Sequence, residues 1–357
     1  MNTQFFSRTH RAWRGLLLPA LGTAVLSLLL AWPAAGRAAQ PEEGVLSKHI
    51  NLDADDAATK LDILMHTLYA QEQRIIMLQF QMEYGDRVDM KLVRFPTDNN
   101  SLIPGYVFTP KAMPASKRHP AIVLVHGGFH ERFNTEWFRF IDEAVAKGYV
   151  LIFPEYRGSR GYGDGHFKNE YGNTDVADVI AAADYFAHKD FVDPSRMGIY
   201  GTSRGGMIAL LAIQKRPTLF QAAIDVVGLT DFVAYMGYKP EYRRREVADS
   251  KTFDGKLPHD NLPAYMAASP INNVDAIQTP LLVLATTGDQ IAPMALHTGR
   301  LLDAATALDA LKARGKVFES HIYDNAPGGH VFTHGDTDEQ RDAYRRMFDF
   351  FARYLKP

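Results

Sequence analysis

The chain has 357 residues, 46% hydrophobic, 11% aromatic and 22% charged, with a formal net charge of −2. That is material for one large buried core or two smaller ones, and it is too near neutrality for a protein that holds nucleic acid by bulk charge. The lack of cysteine excludes disulfide staples, thiolate metal sites and a cysteine nucleophile, so any nucleophile is Ser, Thr, Lys or a carboxylate.

Residues 1–39 read as a secretory signal. Arg8, His10, Arg11 and Arg14 make a basic start, residues 15–32 are an apolar run, and Gly36-Arg37-Ala38 offers a small-x-small cleavage site. The expectation is a secreted or periplasmic protein, free of the membrane once the signal is cleaved. An uncleaved anchor is the alternative, at the short end of spanning length and interrupted by Pro19. Residues 40–85 form a predicted helical arm, in which Leu61, Leu64, Met65, Leu68, Ile75 and Ile76 recur at three- and four-residue spacing. That stripe is expected to pack against the main domain. Strands are predicted at 88–95 and 102–109, with a turn at Asp98-Asn99-Asn100 between them.

From there strands and helices alternate, the pattern of a mostly parallel, doubly wound sheet covered on both faces. Strands are expected at 121–125, 149–154, 197–200, 222–227, 281–285 and 317–323, and helices at 135–147, 176–186, 205–214 and 339–354. Residues 86–357 therefore read as one α/β domain. Segment 231–268, rich in Tyr, Arg, Asp and Pro, breaks the alternation and reads as a small lid-like excursion over the C-terminal ends of the strands.

The chemistry concentrates at Gly201-Thr202-Ser203-Arg204-Gly205, between a predicted strand and a predicted helix, where a nucleophile elbow belongs. A serine hydroxyl does not attack without a base. His330, in Pro327-Gly328-Gly329-His330 after the last strand, is the favoured base, with His334 its rival. Asp289, after strand 281–285, is the favoured acid to orient the imidazole, with Asp231 its rival. The order Ser203, Asp289, His330 is that of an α/β-hydrolase, which sets the expected fold class. His126-Gly127-Gly128-Phe129 supplies backbone amides that no side chain shields, so Gly128 (or Gly127) and Arg204 are expected to form the oxyanion hole. Tyr235, Tyr238 and Tyr242 are expected to line an acyl or leaving-group pocket, whereas Arg243-Arg244-Arg245 reads first as a solvated basic turn, with a carboxylate-binding role as the alternative. No cofactor is implied and no metal site is expected, since no cluster of His and carboxylates has ligand spacing in the sequence.

These motifs resemble the catalytic domain of the prolyl oligopeptidase family of serine peptidases, near its acylaminoacyl-peptidase branch. The similar residues are His126-Gly127-Gly128, then Tyr156-Arg157-Gly158-Ser159-Arg160-Gly161-Tyr162-Gly163, the elbow, Ser269-Pro270 and Thr279-Pro280. Asp289 with Pro293, and Gly329-His330, match the family's acid and base positions, so that the likeness runs over about residues 88–355. It implies a Ser-His-Asp peptidase acting on short peptides or acyl-peptides, with Arg157 and the glycines after it as a structural loop beside the site. Two departures stand out. The family's peptidases usually carry a large β-propeller, which an arm of about 50 residues is too short to make, and they more often have an aromatic where this chain has Arg204. A carboxylesterase on small or plant-derived acyl esters is the alternative. A non-catalytic scaffold is the third reading, and the complete triad speaks against it.

Overall fold

In the computed structural model, which describes residues 56–97, 101–113, 118–168, 170–307 and 317–357, the first element is helix α1, Ala57–Tyr84. The expected signal, the start of the arm and the turn at 98–100 lie outside the described residues. Helix α1 meets the body through Gln73, Ile76 and Phe80. Phe80 is fully buried, with the rings of Phe108, Phe133 and Phe138 between 5.0 and 6.0 Å away. The expectation that the apolar stripe packs inward holds for Ile76 and is corrected for the rest: Leu61, Leu68 and Ile75 are 60%, 53% and 56% exposed, and Leu64 and Met65 are exposed too. The helix carries apolar residues on two faces. Positions 73, 76 and 80 define the one that docks, whereas 61, 68 and 75 recur seven residues apart on another.

Strands β1 (Val88–Pro96) and β2 (Leu102–Pro110) form an antiparallel pair at one edge. Next come β3 (His119–Val125), a 3-10 turn at Thr135–Trp137 leading into α2 (Phe138–Ala146), and β4 (Val150–Pro154). The short α3 (Asp164–Phe167) and α4 (Thr174–Ala187) precede β5 (Val192–Thr202), α5 (Arg204–Lys215) and β6 (Ala222–Val226). Segment 231–268 is built from three short helices, α6 (Phe232–Tyr238), α7 (Glu241–Ala248) and α8 (Leu262–Ala267). The chain closes with β7 (Leu281–Thr286), α9 (Thr298–Ala307), β8 (Phe318–Tyr323) and α10 (Asp338–Leu355).

The eight strands lie in the order β1-β2-β4-β3-β5-β6-β7-β8, antiparallel as far as β4 and parallel from there on. Every residue of β3, β4, β6 and β7 is buried, which is why those segments read as mostly apolar runs with no regular polar alternation, His119, Asp225 and Thr286 being buried polar exceptions. Side chains still alternate between two cores. Ile122, Leu124 and Phe153 pack with Phe80, Phe138 and Phe348 on one face; Val123, Val125 and Ile199 pack with Val179, Ile208 and Leu211 on the other. The architecture is the α/β-hydrolase fold. Among the described residues no helix is long and apolar enough to cross a membrane. The parallel strands bring the ends of β3, β5, β7 and β8 to one rim of the sheet, where ligands of open α/β sheets bind.

Candidate active site

Ser203 stands between β5 and α5 at φ 56° and ψ −121°, a conformation that few non-glycine residues adopt. The surrounding backbone fixes it there. Its N–H donates to the Val226 carbonyl at 2.8 Å, and its own carbonyl accepts from the Met207 N–H at 3.2 Å. The turn is tight enough to need glycine on both sides. A Cβ on Gly201 would stand 2.0 Å from the Gly205 carbonyl oxygen, and one on Gly205 would stand 2.1 Å from that of Val125.

His330 enters from a 3-10 turn, Gly329–His334, that follows β8 and is opened by Gly328 at φ 90°. Its Nε2 lies 2.8 Å from Ser203 Oγ and its Nδ1 lies 2.7 Å from Asp289 Oδ2. The other Asp289 oxygen accepts the backbone N–H groups of Ile291 and Ala292, both at 2.8 Å. Two amides thus hold the carboxylate so that its remaining oxygen faces the imidazole. With the proton on Nδ1 donated to Asp289, Nε2 is left as an acceptor for the serine hydroxyl. The rival groups are engaged elsewhere. His334 faces Glu136 at 3.2 Å, while Asp231 caps α6 through the Ala234 N–H and pairs with Arg300.

Gly127 and Gly128 pass directly beside the nucleophile. A Cβ on Gly127 would be 3.1 Å from Ser203 Cβ, and Gly128, at φ 66°, is overlain by the Glu131 side chain, whose Cγ would be 2.5 Å from an added Cβ. Arg204 opens α5, where first-turn amides have no acceptor within the helix. Its guanidinium goes elsewhere. It is 1% exposed, donates to Asp175 at 2.7 Å and to the Phe129 carbonyl at 2.9 Å, and covers the Tyr171 ring at 4.5 Å. The unusual elbow residue therefore props the glycine loop from behind. His126 is also structural: burial pushes its imidazole down to about 3, and it stacks on Tyr156 with centroids 4.2 Å apart. Arg157 holds buried Asp178, with Nη2 at 2.6 Å, and fixes the loop beside the site.

A cleft of about 570 Å³ opens over Ser203 and His330, with Tyr235, Tyr242 and Arg243 in its wall. Tyr238 is not part of that lining. Its hydroxyl lies 2.8 Å from His297 Nε2 and donates to the Ile291 carbonyl at 3.2 Å, so it braces the wall from outside. Of the three consecutive arginines only Arg243 lines the cleft, because successive residues of α7 point in different directions, and Arg245 pairs with exposed Glu241. A larger cavity, about 780 Å³, lies by Pro96, Ile180 and Tyr185 and shares no lining residue with this cleft.

Sequence reasoning missed Glu131, Glu136, Arg160 and Glu246, which all line the cleft. They come from loops and one helix face with no spacing to mark them. It also missed a surface group, exposed Asp62 and Asp164 with half-buried His66, whose ligand atoms lie within 4.8 Å of one another; α1 and α3 are brought together there by the fold.

The chain is 27% identical over 243 residues to the uncharacterized peptidase YuxL of Bacillus subtilis, covering 66% of this chain and 34% of that protein. It is 26% identical over 264 residues to an acylamino-acid-releasing enzyme of Arabidopsis thaliana, covering 70% and 32%. It thus spans about a third of the length of these curated relatives. Among solved structures, a puromycin-hydrolyzing peptidase of Mycobacterium tuberculosis superposes with a TM-score of 0.62 at 24% identity, over 74% of this chain and 39% of that one. An acylaminoacyl peptidase in complex with Z-Gly-Gly-Phe-chloromethyl ketone gives 0.61 at 21% identity, over 76% and 42%. The family model for the prolyl oligopeptidase family matches residues 132–357, more than half of the chain and all of the elbow, acid and base segments, and the chain belongs to that family.

Proposed function

We propose that this protein is a secreted serine peptidase that cleaves short peptides through an acyl-enzyme. The observation that carries the reading is the unbroken hydrogen-bonded chain Ser203–His330–Asp289 at the mouth of a cleft. Ser203 Oγ attacks the scissile carbonyl carbon while its proton passes to His330 Nε2, and Asp289 stabilises the imidazolium that forms. The negative charge on the former carbonyl oxygen is taken up by the amides of Gly128 and Arg204 at the start of α5, with Gly127 beside them. The imidazolium then gives its proton to the leaving amine as the C–N bond breaks. Water enters, His330 takes one of its protons, and the hydroxide adds to the acyl carbon; collapse releases the acid and returns the proton to Ser203.

A cleft of about 570 Å³ suits a few residues better than a folded chain. Similarity to acylamino-acid-releasing enzymes and to a puromycin-hydrolyzing peptidase supports amide over ester chemistry. The basic, apolar and small-residue pattern of residues 1–39 supports secretion. The test is a parallel screen of aminoacyl-anilides and nitrophenyl esters. Hydrolysis of both series, with esters faster because their leaving group needs no proton, is the expected outcome. Turnover confined to esters would replace the peptidase by a carboxylesterase.

A further inference from the structure

Six charged side chains other than the triad and Arg204 line the cleft over Ser203, and five of them are already engaged. Arg243 pairs with Glu246 at 2.5 Å, Glu136 with His334 at 3.2 Å, and Arg160 with Glu72 at 3.6 Å, while Lys239 donates to the Ile291 carbonyl at 2.7 Å. The sixth is Glu131. Among the described residues it has no hydrogen bond or ion pair, although it is only partly exposed.

Its position is specific. The side chain folds back over Gly128, and the point where a Cβ on Gly127 would stand lies 3.7 Å from Glu131 Oε2 and 3.1 Å from Ser203 Cβ. A carboxylate and a nucleophile thus face the same small volume from two sides. An ionised carboxylate beside an oxyanion hole opposes the charge that develops there, and the opposition is strongest in a dry site. While Glu131 is ionised, a compensating cation on the substrate relieves it. In an aminoacyl substrate that cation is one bond from the carbon bearing the scissile carbonyl.

We propose that Glu131 is the binding site for the free α-ammonium of the substrate, so that the enzyme selects aminoacyl substrates with an unblocked amino terminus over N-acylated ones. The inference rests on the acyl-enzyme reading above and adds to it which end of a short peptide enters first. A blocked substrate meets a neutral amide N–H where the ammonium would sit, leaving the Glu131 charge beside the oxyanion; selection therefore acts on kcat as well as on KM. The charged and titratable groups that act on Glu131 are Glu136, His334, Arg160 and His330, and burial raises its acid above the usual carboxylate range.

The experiment compares kcat/KM for alanine p-nitroanilide and N-acetylalanine p-nitroanilide, and for the matching pair of p-nitrophenyl esters, in the parent, Glu131→Gln and Glu131→Asp. Labelling of Ser203 by a fluorophosphonate is followed in each protein to report a reactive site. The parent is expected to favour the free amine on the order of 10- to 100-fold, the worth of a hydrogen bond to a charged group. Glu131→Gln is expected to bring the ratio near one, and Glu131→Asp to keep part of it. In the parent the ratio falls as acid neutralises Glu131, and again above a pH of about 8, where the α-amino group loses its charge; the His330 dependence cancels in the ratio. A parent that treats both members of each pair alike, or a Glu131→Gln protein that keeps the parent's ratio, would overturn the ammonium site. Turnover of neither pair with Ser203 still labelled would overturn it too, while leaving the nucleophile standing. No labelling of Ser203 would overturn the hydrolase reading itself.

Discussion

At Asp289 the two backbone amides on Oδ1 leave Oδ2 as the only acceptor for His330 Nδ1, so the carboxylate dictates the tautomer. Asp289→Asn presents the same shape with the wrong hydrogen-bonding capacity, and kcat is expected to fall by roughly 10³- to 10⁴-fold. Asp231→Asn is expected to leave kcat within a few-fold and to lower stability by about 1 kcal/mol, through its weakened cap on α6 and lost Arg300 pair. Steady-state kinetics and thermal unfolding of the two variants check this, and reversed effects would move the acid to the neighbouring strand. Asp225, on β6 beneath the elbow, makes a different prediction. Burial pushes its carboxyl up to about 7, and its Oδ1 lies 2.1 Å from where a Cβ on Gly206 would stand. The native state therefore keeps a proton that the unfolded chain gives up near pH 4, and this group removes up to about 1.4 kcal/mol of stability per pH unit as pH rises between the two values. Asn cannot ionise. The stability of Asp225→Asn relative to the parent is expected to improve steadily from about pH 4.5 to about pH 7 in urea titrations, and a constant difference would contradict the burial. Ser203, Asp289 and His330 were legible in the sequence because each follows a strand and sits in a glycine-marked turn. Glu131 was not, because its place depends on a side chain folding back over Gly128.

The same contrast holds among the elements. The interior strands were legible because a sheet covered on both faces needs apolar residues at consecutive positions, and β3, β4, β6 and β7 supply short runs of them, with buried Asp225 interrupting β6. The docking face of α1 was not. Apolar residues occur on more than one of its sides, and only the tertiary ring cluster around Phe80 decides which side is covered. Phe80→Ala is expected to destabilise the protein by about 3–5 kcal/mol, whereas Leu68→Ser, at a position 53% exposed, is expected to change stability by no more than about 0.5 kcal/mol. Chemical denaturation of both variants reads the difference, and equal losses would place Leu68 in a buried contact. Segment 231–268 shows why an insertion's composition underdetermines its role. Its aromatics and arginines were visible, but Tyr235 and Tyr238 lie side by side on one face of α6, with ring centroids 5.6 Å apart, and only tertiary partners separate their roles: Tyr235 lines the cleft, while the Tyr238 hydroxyl is held by His297 and the Ile291 carbonyl.

For the molecule as a whole, the parallel order of the sheet gathers four separate stretches of sequence onto one rim. The glycine loop after β3, the elbow after β5, Asp289 after β7 and His330 after β8 are far apart in the chain and meet only because those strands point the same way. Family membership and fold describe that frame. The chemistry depends on Ser203 being a nucleophile that becomes covalently acylated. The measurement that tests this most directly is the intact mass of the protein after a brief reaction with a fluorophosphonate, followed by peptide mapping, in the parent and in Ser203→Ala. A single adduct located on Ser203, with hydrolysis lost in step, and no adduct in Ser203→Ala is the expected result. An adduct on another residue, or undiminished hydrolysis by folded Ser203→Ala, would contradict it.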